Sequence, residues 1–234
     1  MPNENQVLED YNDLEKGAYL CTIASIATAD RHASDEELDY IEALCDAAKL
    51  SDQQKQVILN SATELSGEDL NKCLDVLKTS ELKYSLLAEL MAFGGADKNY
   101  SVDEKESVQR IADYLQINQQ QFSLLNEFTN KTAAANVPPE EIKKPDFLSS
   151  LGLKDKFQNA GINQNNFLKG LLGIAGPIIL ARLVSGGLKR RGSFNQHSNS
   201  GLSGGFGSII SMINGGRGMG SAGGLLSRIL GRGF

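Results

Sequence analysis

The sequence predicts an all-α domain followed by a glycine-rich tail, and three observations support this fold class. Between about residues 7 and 128, apolar residues recur at helical spacing, with no proline and no strand-like alternation. Residues 151–234 contain ten Lys and Arg, one Asp and twenty glycines; since the overall net charge is −6, residues 1–150 contribute −15. The pattern of the first part also repeats at an offset of 67 residues.

Capping boxes predict where several helices begin. In this motif a hydroxyl accepts a hydrogen bond from the third helical N–H, and the Glu or Gln at that position reaches back to the cap. The pairs that fit are Ser34 with Glu37, Ser51 with Gln54, Ser101 with Glu104 and, more weakly, Asn118 with Gln121. With the apolar periodicity they predict seven helices, near residues 8–29, 35–48, 52–64, 67–77, 80–95, 102–116 and 119–129.

The internal repeat indicates two related halves. The correspondence continues without a gap from Ile23 and Leu90 to Ile58 and Leu125. A shared heptad pattern would match some apolar positions, but it would not also align the acids and the helix caps. We therefore expect a helical domain built around a pseudo-twofold axis.

Three regions are predicted along the chain. Residues 1–130 form the helical domain, and residues 131–166 form a linker in which Pro, Asn and Gln leave few packing anchors. Residues 167–234 form a tail of apolar islands separated by Gly and Ser.

Each half places an Asp before a turn and a Glu seven residues later. If the pseudo-twofold axis brings the turns together, four carboxylates converge, and their repulsion would favour a hard divalent ion such as Ca²⁺ or Mg²⁺. These candidate metal ligands are Asp30, Glu37, Asp97 and Glu104. The alternative is structural, because both Glu residues are already explained as capping-box residues and both Asp residues as turn caps.

The tail predicts contact with an anionic membrane surface or a protein partner. Residues 167–184 are strongly apolar, but their longest uncharged run is short of the roughly 20 residues that a helical span needs. An apolar segment beside a basic cluster is typical of interfacial binding. The predicted contact residues are Phe167, Leu171, Leu172, Ile178, Ile179, Lys189, Arg190 and Arg191. A disordered tail, or docking of the tail on its own acidic domain, is the alternative.

The two-half layout, with an Ala-Asp-x-x-x-Ser-x-x-Glu turn in each half, resembles the TerB-like family of tellurite-resistance proteins over about residues 8–130. The resemblance implies a non-enzymatic, stress-related protein with acidic metal-binding surfaces and membrane-linked complexes. It implicates the same four carboxylates, with Glu36 and Asp103 as neighbours. The family commonly has Gly after the Asp, whereas this chain has Arg31 and Lys98, which would partly neutralise the acids.

The remaining chemistry argues against an enzyme and against nucleic acid as a partner. The three cysteines lie in apolar helical stretches without a CxxC pair, which suits a reducing cytosol. No motif pairs a nucleophile with a base. We therefore expect a cytoplasmic protein, peripheral at the inner face of the membrane, that acts as a cation-binding or scaffold domain. A metal-independent interaction module and a membrane-active tail kept soluble by the helical domain are the alternatives.

Overall fold

The computed structural model describes residues 7–27, 35–64, 67–96, 102–135, 137, 139–142 and 144–172 of the 234-residue chain. Within these ranges the chain is helical and has no strand, which confirms the all-α prediction. The helices are α1 Asp13–Ala27, α2 Asp35–Ala47, α3 Asp52–Glu64, α4 Gly67–Lys78, α5 Leu82–Ala96, α6 Val102–Tyr114, α7 Gln119–Ala135, α8 Pro139–Ile142, α9 Phe147–Ser150, α10 Lys154–Asn159 and α11 Gln164–Gly170.

Capping boxes fix three helix starts. Ser51 and Gln54 exchange bonds in both directions, with Ser51 N–H donating to Gln54 Oε1 at 2.9 Å and Gln54 N–H donating to Ser51 Oγ at 3.3 Å. Asn118 and Gln121 do the same at 3.1 and 2.9 Å, as predicted. Helix α1 begins five residues later than predicted, because Asn12 and Glu15 form a third such pair at 3.1 and 3.0 Å.

The internal repeat is visible in the backbone. Helices α2 and α6 are related by 67 residues at both ends, and α3 and α7 begin 67 residues apart. The turns that follow α2 and α6 also match, since Lys49 has φ 56° and Gln116 has φ 58°. Each turn is a Schellman motif, in which Leu50 N–H donates to Cys45 O at 3.1 Å and Ile117 N–H donates to Ala112 O at 2.9 Å.

Two apolar helices form the centre of the molecule. Helix α1 packs against α3 and α4, its repeat-related partner α5 packs against α6, α7 and α11, and α1 also touches α5. Tyr19 and Leu20 on α1, and Leu86 and Leu87 on α5, are fully or almost fully buried. Each central helix is therefore covered by the other helices of its own half.

Residues 144–172, called the strap, are packed on the domain and do not form the predicted linker. Short helices α9, α10 and α11 follow one another through turns at Gly152 and Gly161, whose φ values of 67° and 71° favour glycine. The strap contributes several fully buried apolar side chains to the core: Leu148, Leu153, Phe157, Phe167 and Leu171. The boundaries predicted at residues 130 and 166 therefore do not separate a domain from a linker and a tail.

Replacing either left-handed residue by glycine should stabilise the fold. Lys49 and Gln116 adopt a conformation that costs a side-chain-bearing residue about 1–2 kcal/mol, so Lys49→Gly or Gln116→Gly should raise the free energy of unfolding by up to about 1 kcal/mol. Urea denaturation measures the change. As a control, Ala43→Gly at an exposed interior position of α2 should lower it by about 1 kcal/mol. A loss of stability in all three variants would contradict the assigned turn geometry.

Candidate functional site

The four predicted metal ligands lie at the edge of what the structure describes. Asp30 and Asp97 lie outside the described residues. Glu37 is the third residue of α2 and Glu104 is the third residue of α6, and their side chains are not described. The equivalent positions of the two glutamates follow the repeat. The convergence of the four carboxylates stays a prediction.

Several other acidic side chains among the described residues are paired with cations. Lys55 contacts Asp46 at 2.5 Å and Glu42 at 3.6 Å, and the bond to Asp46 raises the pKa of the Lys55 ammonium. Asp69 is buried and lies 3.2 Å from Lys72. Among the described residues, no group of three or more acidic, thiol or imidazole side chains is arranged to hold a metal ion.

The predicted tail contacts divide into two groups. Ile178, Ile179 and the basic residues Lys189, Arg190 and Arg191 lie outside the described residues. The other three belong to the strap: Phe167 and Leu171 are fully buried, and Leu172 is half-buried. In the described structure, Phe167 and Leu171 face the protein core, and their contact with a membrane or partner stays a prediction.

An aromatic cluster holds the strap. The ring of Phe128 on α7 is fully buried and meets three strap rings edge to face. Its centroid lies 6.2 Å from that of Phe147, 6.0 Å from Phe157 and 4.9 Å from Phe167. Such pairs add about 0.5–1.5 kcal/mol each beyond the area they bury. One residue of α7 thus binds all three strap helices.

Side-chain donors on the body of the domain bind backbone carbonyls of the strap. All four bonds join residues far apart in sequence. Leu151 and Ala160 are C-caps and Phe167 lies in the last turn of α11, where carbonyls lack intrahelical partners. They run from Lys131 Nζ to Leu151 O at 2.8 Å, from Gln121 Nε2 to Ala160 O at 3.0 Å, from Ser85 Oγ to Phe167 O at 2.8 Å and from Tyr11 OH to Asn166 O at 2.9 Å.

Gly170 allows α11 to lie directly on α5. A Cβ at this position would overlap Ser85 Oγ and would come within 2.9 Å of Leu82 Cδ2. Both neighbours belong to buried residues of α5. The close approach explains why α11 ends in a glycine.

The N-terminal turn, residues 7–12, closes over α11 and carries negative charge. Besides the bond from Tyr11, Lys169 of α11 pairs with Asp10 of this turn. Burial, followed by the neighbouring carboxylates Glu81, Glu15 and Asp10, raises the pKa of the Tyr11 phenol. Helix α11 therefore lies beside an acidic surface.

Sequence reasoning missed the strap because its signal has neither the helical nor the strand period. Phe147, Phe157 and Phe167 are ten residues apart, each in a separate short helix. The predicted linker rested on Pro, Asn and Gln, whereas the glycines at 152 and 161 form Schellman turns, with Leu153 N–H donating to Leu148 O at 2.8 Å in the first. Equally spaced phenylalanines alternating with glycines were the available clue.

The buried thiols have the character of core residues. Cys21 on α1 and Cys73 on α4 are hydrogen-bonded to each other, and this bond together with burial raises the pKa of the Cys73 thiol. Burial raises the pKa of the Cys45 thiol to about 12. Thiolates, which are the reactive form, are therefore disfavoured at Cys45 and Cys73.

The described residues thus form an all-helical domain with two repeat-related halves, closed by a C-terminal strap. Residues 16–127 match the model of the family described as tellurite resistance protein TerB, and this part of the chain belongs to that family. The resemblance drawn from the two acidic turns is confirmed for this region. The strap lies beyond the matched residues. No curated protein and no solved structure shows a significant match to the chain.

None of the described helices combines the length and the apolar character needed to cross a bilayer.

Proposed function

We propose that the chain is a non-enzymatic TerB-type scaffold whose helical head holds the start of a basic, apolar tail and whose tail associates with an anionic membrane surface. The observation that carries the proposal is the docked strap. Because α11 is packed on α5 and the Asn166 carbonyl accepts a bond from Tyr11, the described residues that precede the tail are held on the head. A scaffold needs such a fixed point of attachment.

The charge of the two parts supports the division of roles. After Leu172 the chain contains seven Arg and Lys and no acid, whereas the excess of acid lies before it. Each basic residue near an anionic lipid surface contributes about 1 kcal/mol of attraction. The apolar islands next to these cations would add interfacial burial. The acidic head, by contrast, is repelled by such a surface and would stay in solution.

The character of the described head supports a binding role over catalysis. Its cysteines are buried, and the pKa values of Cys45 and Cys73 are raised. A shallow depression in the strap is lined by Gln158, Asn163 and Gln164, whose amides can bind a ligand but cannot act as nucleophile or base.

The proposal includes a divalent cation at the paired acidic turns. The internal repeat supports this part of the proposal. Helices α2 and α6 begin at equivalent positions, so Glu37 and Glu104 occupy the same place in each half. Arg31 and Lys98 beside the aspartates favour the alternative, in which the turns are balanced internally and the head is a metal-independent interaction module.

Calorimetry tests the cation part of the proposal. Titration of the full-length protein with Ca²⁺, Mg²⁺ or Mn²⁺ should show saturable binding that the double variant Asp30→Asn/Asp97→Asn loses. The full chain is required because a fragment ending at residue 130 would leave Phe128 without its three aromatic partners.

A matched pair of repeat-related acids provides the control for this titration. Asp46→Asn/Asp113→Asn removes the same charge from α2 and α6, away from the turns, and should bind as the wild type does. Equal losses in both double variants would point to general electrostatics. No binding by the wild type would favour the metal-independent module.

Vesicle co-sedimentation tests the tail. The triple variant Lys189→Gln/Arg190→Gln/Arg191→Gln should partition onto phosphatidylglycerol-containing vesicles roughly 100-fold less than the wild type, from a loss of about 1 kcal/mol per cation. The control variant Lys49→Gln/Lys78→Gln/Arg110→Gln makes the same charge change on the head and should bind normally. Equal binding by both variants, or equal binding of the wild type to neutral vesicles, would refute the proposed role of the tail.

A further inference from the structure

The apolar stretch from Phe167 to Val184 begins within the strap and continues beyond its last residue, Leu172. Its first residues are docked, with Phe167 and Leu171 fully buried beside α5 and α7. While they are docked, Phe167 and Leu171 cannot reach a lipid surface. The docked strap therefore keeps buried the apolar residues that directly precede the tail in sequence.

The acidic surface beside α11 opposes a docked arrangement at an anionic membrane. Asp10, Glu15 and Glu81 surround Tyr11, which itself binds α11. A tail that draws Leu172 towards anionic lipid brings these carboxylates with it, and like charges repel. Lys169, which pairs with Asp10 on the exposed surface, would be attracted to the lipid instead.

The strap has the features of a unit that opens separately from the rest of the fold. Helices α9, α10 and α11 have four, six and seven residues, too short to be stable without tertiary contacts. The ion pairs at its rim, Lys156 with Glu127 and Lys169 with Asp10, are exposed and contribute little. Docking depends on the aromatic cluster and the four carbonyl bonds, opposed by the entropy of ordering 29 residues.

We propose that the strap is a releasable cover, docked in solution and undocked when the tail meets an anionic lipid surface. On release, Phe157, Phe167 and Leu171 leave the core and join the lipid contact, which extends the apolar segment back beyond Gly170. Phe128 and its neighbours on α5 then become exposed, and this cost keeps the strap closed where lipid is absent. The inference rests on the proposed association of the tail with membrane.

A thiol placed beneath the strap reports its release. Ser85 is fully buried and bonded to Phe167 O, and Ser85→Cys changes one atom of its side chain. In the full-length variant, maleimide labelling followed by mass spectrometry identifies which cysteine reacts. Cys73, buried on α4 in the other half, serves as the control within the same molecule.

The expected result is that phosphatidylglycerol-containing vesicles raise the labelling rate at position 85 by about tenfold or more, while neutral vesicles do not and Cys73 stays unreactive. If the protein sediments with anionic vesicles but position 85 stays as protected as Cys73, the strap remains docked and the inference is wrong, while the proposed function stands. Fast labelling at position 85 without lipid also refutes it, because the strap would not be closed in solution.

Two further outcomes decide against the inference. Equal acceleration at position 85 and at Cys73 would mean that lipid unfolds the whole domain. Failure to bind anionic vesicles at all would remove both the inference and the proposed membrane role. If Ser85→Cys does not fold, Gln121→Cys beneath Ala160 O carries the same test.

Discussion

The packing of Phe128 against three strap rings is the interaction on which the arrangement of the C-terminal part depends. Phe128 is fully buried, and each of its partners comes from a different short helix, so a single side chain on α7 positions α9, α10 and α11. The strap in turn brings Asn166 of α11 to Tyr11 of the N-terminal turn. Without this cluster the strap helices would be too short to persist.

The strap also supplies the helix that completes the second half of the domain, beyond the residues that match the TerB family. Helix α4 packs on α1 in the first half, and α11 packs on α5 in the second, although α11 lies about 40 residues beyond the last residue that matches the family. The acidic head and the basic tail are thereby joined at one place. The proposed scaffold role and the proposed release both follow from this geometry, because the same contacts that fix the tail also withhold its first apolar residues.

The sequence predicted the long helices more accurately than the short ones. Helices α2 and α6 were predicted closely because their apolar periodicity and repeat-related starts agree, and the repeat itself was readable from the acids and caps. The sequence predicts a linker up to residue 166 and a tail from residue 167 where the strap lies, because helices of four to seven residues carry no full period and depend on distant partners such as Ser85 and Gln121. The acidic turns were recognisable as a pattern, but spacing alone does not determine whether Asp30 and Asp97 approach each other.

Hydrogen exchange of the full-length protein in the absence of lipid tests the central claim, that residues 144–172 belong to the folded domain. The amides of Leu153, Phe157 and Ile162 are bonded within the strap at 2.8–3.0 Å and are covered by the aromatic cluster. The account predicts that peptides from this segment exchange at least about 100-fold more slowly than an unstructured chain. Exchange at the rate of an unstructured chain, with α5 and α7 still protected, would show that the segment is a linker and would contradict the account.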